Sequence, residues 1–446
     1  MSERLRSFGL PSDQPRSTIL PPQAVARLKG GQVANGSLLA FGNGRSYGDS
    51  CLNDRGTLVD MQAANRILRF DPEIGLFQAE AGVLLSDVIA HCAGSGWFPP
   101  VVPGTQFVTL GGAIANDIHG KNHHGSGTFG CHVESFTLLR SDGVIRECSA
   151  TANGELFKAT IGGMGLTGLI LSATIRLMRV RSLGVEQTAT RFSGLDHYFD
   201  LAAEADRNNT YAVAWIDQLA RGKQAGRGVL LAGNHANDGD FATSEHGRTL
   251  GVPVQPPFSV LNRPFISAFN AAYGWMQARK THSRVSYQSY FFPLDGVRNW
   301  NRLYGPRGLL QHQSVVPEEA AREAVPALLQ AGRDAAHASF LTVLKRFGPR
   351  KSPGVLSFPR PGYTLTLDFP NAGASTLALF DRLDAITVGA GGAVNPYKDA
   401  RMSAATFERS FPHWRQLEAE RDPAFLSDFW RRTALALEPG QWAAAA

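Results

Sequence analysis

Cysteine is scarce in this chain: there are four in 446 residues, Cys51, Cys92, Cys131 and Cys148, and no two share a CxxC spacing. That excludes a disulfide framework and a cysteine-based zinc site, and it leaves four thiols to pack as small apolar groups. Charge is thin as well, at 18% of residues. The net charge of +6 comes without a basic run. The clustered footprint of a nucleic-acid binder is therefore missing, and the modest positive balance favours small anionic partners such as phosphates or lipid headgroups. No stretch approaches the roughly 20 apolar residues that cross a bilayer. The N-terminus, MSERLRSFGL, lacks the apolar segment and cleavage site of a secretory signal. Cytoplasmic synthesis is the expectation, with contact at a membrane surface left open. A GxSxG elbow and a GxxxxGK(S/T) loop are also absent, which removes support for serine hydrolase and nucleotide triphosphatase chemistry.

What the chain has is length, apolar residues and glycine. At 446 residues and 43% hydrophobic content it can build two domains with substantial cores. Two glycine-rich runs stand out, FGNGRSYGDS at Phe41–Ser50 and GGAIANDIHGKNHHGSGTFGC at Gly111–Cys131. Such runs suit a backbone that closely approaches a large, phosphate-bearing ligand. Gly42, Asn43, Gly44, Arg45, Ser46, Tyr47 and Gly48 give GxGxxxG rather than GxGxxG, and a loop-like DSCLNDRG and a strand follow instead of a helix. That is not a Rossmann turn. The loop reads either as an anion nest for a pyrophosphate, with Arg45 and Ser46 adding donors, or as a tight connection between strands. His119 and His123 have the HxxxH spacing of metal ligands, but Gly120, Gly125 and Gly127 oppose a helix and no carboxylate accompanies them, so no metal is expected. Lys121 and these histidines suit phosphate binding, polarisation of a hydroxyl, or plain solvation of a loop. Lys398, within NPYKDAR, reads by itself as a solvated surface residue.

Strands are predicted at Ser37–Phe41, Thr57–Met61 and Leu76–Ala81, followed by a helix capped by Ser86. Phe136–Ser141 and Val144–Ser149 form a hairpin about Asp142-Gly143. Asn153 caps a short helix, and the alternation from Leu169 to Leu177 marks a strand with one buried face. Asn234–Arg248 reads as a polar loop. Pro253–Phe269 is apolar and proline-punctuated, material for a lid, a lipid contact or ordinary core. The tail from Ser403 is helical, with Asp422-Pro423 starting its second helix.

RSYGD at Arg45–Asp49 and GGAIANDIHGKNHH at Gly111–His124 resemble the vanillyl-alcohol-oxidase-type (PCMH-type) flavoenzymes, and within them the decaprenylphosphoryl-β-D-ribose 2′-oxidase family. VPGT at Val102–Thr105, GGMGLTG at Gly162–Gly168, YAVAWID at Tyr211–Asp217, YGPRGLLQHQ at Tyr304–Gln313, LKRFGPR at Leu344–Arg350 and YKDAR at Tyr397–Arg401 extend the resemblance along most of the chain. It implies an α+β, two-domain fold. An FAD-binding part over residues 1–181 and a C-terminal return over 392–446 would enclose an antiparallel-sheet substrate domain over 182–391. It implies FAD held by the first glycine loop, by Gly104, Thr105, Gly111, Gly112, Ala115, Asn116, Asp117, His119 and Gly120, by Gly163, Gly165, Gly168 and Ile170, and by Tyr397. Covalent relatives carry a flavin-bonding histidine where this chain has Arg45, so the FAD is expected to be non-covalent.

The chemistry implied is oxidation of a secondary sugar alcohol, with Lys398, His119 and Lys121 as catalytic residues. Tyr47, Lys121, Trp215, Gln311, Gln313, Lys345, Thr364, Thr366 and Lys398 would line the substrate pocket. The implied substrate is a polyprenyl-phosphoryl ribose, oxidised at its 2′-hydroxyl, with a short-chain reductase as partner, peripheral membrane contact, and action on the periplasmic side left open. An aldonolactone or alditol oxidase shares this fold and chemistry and is the alternative; a non-catalytic flavin or glycolipid binder is a third class. Mycobacterial members carry an asparagine and an inhibitor-trapping cysteine on the strand that here bears Thr364 and Thr366.

Overall fold

The computed structural model describes residues 5–9, 17–31, 37–243, 250–278 and 281–438. Three larger sheets organise them, with two two-stranded sheets beside these. Strands β1 (Ser17–Ile19), β2 (Leu38–Phe41) and β3 (Thr57–Asp60) form a parallel sheet in the order β1–β3–β2. An antiparallel sheet follows, made of β4 (Ile67–Asp71), β5 (Leu76–Glu80), β6 (Val133–Leu139), β7 (Ile145–Ser149) and β8 (Leu169–Arg176), in the order β4–β5–β8–β6–β7. The period-two pattern of β8 puts Ala173 and Ile175 into a core with Phe77, Phe136 and Leu138.

The third sheet has eight strands: β9 (Val185–Phe192), β10 (Tyr211–Ile216), β11 (Gly228–His235), β12 (His282–Val285), β13 (Leu309–Val316), β14 (Thr342–Phe347), β15 (Gly362–Pro370) and β16 (Ala393–Val394). Their order is β12–β9–β11–β10–β14–β15–β13–β16, antiparallel throughout. One face carries Leu310, Leu344, Leu365 and Leu367 into a core with helices Glu318–Asp334 and Ala374–Gly389. That leaves the other face free to be polar.

Beyond β16 the chain returns to the first sheet. Leu38 donates its N–H to the Ala424 carbonyl at 2.6 Å and accepts from Leu426 at 3.0 Å. Phe407, Trp414, Phe429 and Trp430 share a core with Leu39, Phe41 and Leu58. Within it, Glu418 bonds Arg421 at 2.8 Å and accepts from Trp430 Nε1 at 2.7 Å, all three side chains being buried. Glu418→Ala removes the carboxylate shared by the Arg421 guanidinium and the Trp430 indole N–H, and a loss of about 3–5 kcal/mol is expected, read as a lowered urea midpoint.

Local chemistry shifts several predicted boundaries. The helix expected to begin at Ser86 runs Leu85–Cys92, because the Asp87 carboxylate reaches back to the Leu84 N–H at 3.1 Å while Ser86 donates its own N–H to Gln106. In the hairpin only Gly143 is left-handed, at φ 76°, so the connection is longer than a two-residue turn. Asn153 stands at the N-cap of Gly154–Thr160 as expected, but at φ 51° its side chain donates to the Glu147 carbonyl at 2.7 Å rather than accepting from the helix amides. Asp422 starts no helix: its carboxylate accepts from Ser141 and Ala424, and the next helix, Asp428–Arg432, is capped by Ser427. Asn234 belongs to β11, and the expected polar loop, of which residues 244–248 lie outside the described residues, follows His235. The apolar run from Pro253 is irregular up to Asn262, then enters helix Arg263–Ala278.

Candidate active site

The polar face of the large sheet forms the floor of the site. Register pairs Gln311 with Asp368, Gln313 with Thr366, Lys345 with Thr364, and Val343 with both Thr366 and Trp215. Because side chains alternate along a strand, Gln311 and Gln313 of β13, Lys345 of β14, and Thr364, Thr366 and Asp368 of β15 all project to one side. Helix Arg263–Ala278 crosses above Trp215, with Tyr273 packed 4.9 Å from the indole and Asn270 bonded to Asp217 at 2.8 Å.

Two loops bring the remaining groups onto this floor. The segment after helix Leu110–Ala115 places His119 so that Nε2 is 3.0 Å from Gln313 Nε2 and Nδ1 is 3.2 Å from Lys345 Nζ. Its ring packs edge-on against Phe347 at 4.8 Å. The loop after β16 places Lys398 Nζ 4.0 Å from the centre of the Tyr47 ring. Lys121 takes a different course: its ammonium donates to the carbonyls of Tyr290 and Phe291 at 2.8 and 3.2 Å.

The electrostatics follow from this enclosure. Burial lowers Lys398 to about 8 although Asp368 opposes the shift. Burial lowers Lys121 to about 7, and burial with the charges of Lys121 and Lys398 lowers Lys345 to about 7. His119 falls well below its ordinary value through burial and then the charge of Lys345. Asp368 moves the other way, up to about 7, because burial outweighs a hydrogen bond from Gln311 and the charge of Lys398. One of its oxygens has no partner among the described residues.

The first glycine loop and the Gly111–Gly120 run form a cradle beside this floor. Asn43 donates to the Phe107 carbonyl at 2.7 Å, and Tyr47 donates its N–H to the Tyr397 carbonyl at 3.2 Å. Gly44 is left-handed at φ 60°, and a Cβ there would lie 2.3 Å from the Arg6 carbonyl oxygen, so glycine is required. The Gly162 and Met164 amides donate to the Ile114 and Ala115 carbonyls, joining the third glycine segment to the helix Leu110–Ala115. Gly165 lines this junction, with room for a Cβ whose nearest neighbour would be Leu39 at 3.7 Å.

The residues fit FAD. Arg45, between the rings of Phe8 and Phe107, keeps a buried Nε without a partner among the described residues, as a phosphate-facing guanidinium would. Ser46, Gly42 and Gly48 complete that loop, and Gly104 and Thr105 lie at the end of the extended Phe98–Pro103 run.

Other predicted residues hold the cradle together. Asp117, at φ 40°, accepts from the Gly130 amide at 2.8 Å and from Ser352 and Ser357 at 2.5 Å each. The Tyr397 hydroxyl donates to the Gly162 carbonyl at 3.0 Å, and Asn116 folds back onto the Gly112 carbonyl at 2.9 Å. Gly163 and Gly168 fit tightly against the Ala159 and Leu139 carbonyls, and Ile170 is buried in β8. Gly111 packs on Ala81, and Gly120 on Asn122 and Val102. Sequence reasoning missed Asp368 and Asn395. The two-residue alternation Thr364, Thr366, Asp368 was the available signal for the first; Asn395 gave none.

Comparison with known proteins names this arrangement. A family model described as an FAD binding domain matches residues 25–149. The decaprenylphosphoryl-β-D-ribose oxidase of Mycolicibacterium smegmatis is 34% identical over 431 residues, 93% of each chain. The L-gulonolactone oxidase of Mus musculus is 31% identical over 144 residues, 32% of each chain. The D-arabinono-1,4-lactone oxidase of Saccharomyces cerevisiae is 24% identical over 182 residues, 40% of this chain and 34% of its own. With FAD as its cofactor and the two-domain α+β flavoenzyme fold around a polar pocket, this chain is an FAD-dependent oxidoreductase of sugar alcohol groups and belongs to the decaprenylphosphoryl-β-D-ribose oxidase family.

Proposed function

We propose that this protein oxidises the 2′-hydroxyl of a polyprenyl-phosphoryl-β-D-ribose to the 2′-ketone. The observation that carries this reading is the convergence of the Lys345 and Lys398 amines on a polar sheet face beneath a helix whose outer side is apolar. The amines suit a sugar phosphate, with Lys398 next to Tyr47 at the cradle and Lys345 on the floor. Above them, Phe265, Trp275 and Met276 stand exposed on helix Arg263–Ala278, with Leu250, Val254 and Phe258 exposed just before it. Such a run suits a prenyl chain or the lipid surface that holds one. That exposed run is what points to contact from one side; among the described residues no helix is long and apolar enough to cross a membrane.

FAD would be held non-covalently by the Gly42–Gly48 loop, Gly111–Gly120 and Gly163–Gly168, and when bound it supplies the acceptor for the hydride leaving the alcohol carbon. As the hydride leaves, the hydroxyl proton passes to solvent, and the Lys398 ammonium stabilises the negative charge developing on the alcohol oxygen. Gln311 and Gln313, pinned by Asp368 and Asn395, orient the sugar hydroxyls. The ketone then passes to a separate short-chain reductase, completing epimerisation to the arabinose.

Anaerobic titration with farnesylphosphoryl ribose is expected to bleach the visible flavin band. A band that stays yellow with this compound and bleaches with a free aldonolactone or alditol overturns the reading in favour of a soluble sugar, the alternative that the local likeness to lactone oxidases favours. Thr364 and Thr366 also predict insensitivity to thiol-trapping nitroaromatic inhibitors, since a hydroxyl does not replace the thiolate nucleophile. Incubation under turnover should leave the intact mass unchanged, whereas Thr366→Cys should gain one inhibitor adduct.

A further inference from the structure

Four hydrogen bonds fix the proton positions along one buried line. The Tyr397 N–H donates to Asn395 Oδ1 at 2.9 Å, so Asn395 must turn its NH2 to its other neighbour. That group donates to Gln313 Oε1 at 2.8 Å. Gln313 Nε2 therefore faces onward, 3.1 Å from Thr364 Oγ1 and 3.0 Å from His119 Nε2. An amide N–H only donates, so His119 Nε2 carries the lone pair, and the neutral ring keeps its proton on Nδ1. That Nδ1–H points at Lys345 Nζ, 3.2 Å away. An ammonium has no lone pair and would meet the N–H donor against donor; only an uncharged amine accepts it.

The surroundings agree with this assignment. The titratable groups facing Lys345 are His119 and Lys121 from the segment after helix Leu110–Ala115, His123 from the next short helix, and Lys398 from the C-terminal loop. Those that act on the Lys345 amine are cations, and they hold it low together with burial, at about 7. The carboxylate of this pocket, Asp368, is engaged by Gln311 and acts on Lys398.

We propose that the relay from the Tyr397 backbone through Asn395, Gln313 and His119 holds Lys345 as a neutral amine before substrate binds, and that the phosphate of the substrate draws a proton from solvent onto it on binding. His119 is then a positioning residue with both ring nitrogens occupied, and Lys345 is a proton-linked phosphate subsite. This rests on the phosphoryl-sugar reading above. A prenyl-phosphoryl sugar is a phosphodiester, already a monoanion with no proton of its own to exchange near neutrality, so any proton taken up belongs to the protein.

The test is calorimetric titration of the FAD-loaded protein with farnesylphosphoryl 2-deoxyribose, which lacks the hydroxyl whose oxidation would release a proton, at about pH 8, in two buffers of different ionisation enthalpy. Uptake approaching about one proton per ligand is expected, because the ligand raises the protonation of a group that is mostly neutral at that pH. Asn395→Asp offers the Gln313 NH2 an acceptor, so the Gln313 amide turns its oxygen toward His119 Nε2, moves the ring proton there and frees Nδ1 to accept from a Lys345 ammonium; the uptake should vanish from the binding heat, and uptake unchanged in this variant overturns the relay. Binding by the wild-type protein without proton uptake overturns the inference and leaves the substrate reading standing. Absence of both this binding heat and flavin bleaching by farnesylphosphoryl ribose overturns the substrate reading and the inference with it.

Discussion

Lys398→Ala should bind FAD and turn over about 10²–10³-fold more slowly, the usual cost of removing one preorganised donor from developing negative charge. The expectation rests on position. Lys398 sits against the Tyr47 ring at 4.0 Å, on the loop whose Tyr397 carbonyl receives the Tyr47 amide. It is thus coupled to the cofactor cradle on one side and open to the sugar pocket on the other. The loop itself is held by Asp399, which accepts from Met402 and Arg401 and pairs with Arg432, so truncating the Lys398 side chain leaves the backbone and its glycine partner in place. Flavin content should therefore stay near that of the parent. The ammonium is the charged form, present below its value of about 8 and lost above it. Parent kcat should fall as pH rises through about 8, and Lys398→Arg, charged throughout, should lose that alkaline limb even if slower. If turnover survives in the alanine variant within a few-fold, the role assigned to this lysine is wrong.

The sequence carried the cradle further than the pocket. Glycine runs are legible because few other residues satisfy a backbone such as Gly44, left-handed and 2.3 Å from a carbonyl at its absent Cβ. The strand Leu169–Arg176 was legible from alternation, and its core shows which face is buried. The pocket residues came from resemblance, since two glutamines, a lysine and two threonines spread over three strands announce nothing until register sets them side by side. Lys121 shows the limit of that route. It lies in the most specific motif of the chain, yet its ammonium is spent on two backbone carbonyls, an interaction across 169 and 170 residues of sequence. Asp422 illustrates the same limit locally: an Asp-Pro pair is a fair helix start, but the Ser141 amide, 281 residues away, competes for the carboxylate and wins.

Gly48→Ala should give the second largest effect, a protein largely stripped of FAD and destabilised by about 3 kcal/mol, at the upper end of ordinary overpacking. A Cβ at Gly48 would lie 1.4 Å from the Asp399 carbonyl oxygen and 3.0 Å from the Ala400 amide nitrogen. Ordinary contact begins near 3.4 Å, so the two loops must part by about 2 Å. They are poorly able to do so, because Arg432 bonds Asp49 at 2.8 Å on one loop and Asp399 at 3.0 Å on the other. The strain then falls on the Tyr47–Tyr397 backbone bond of 3.2 Å and on the Tyr47–Lys398 contact. Both the glycine loop proposed to hold the pyrophosphate and the lysine proposed to serve the alcohol move together, so flavin content and turnover of the remaining loaded fraction should drop in parallel. Gly94→Ala is the matched control, since its Cβ would meet no atom within 4 Å. Flavin absorbance per protein, thermal midpoint and turnover of the loaded fraction decide the matter. Full flavin content with an unchanged midpoint in Gly48→Ala would mean that this contact is not what couples the cofactor loop to Lys398.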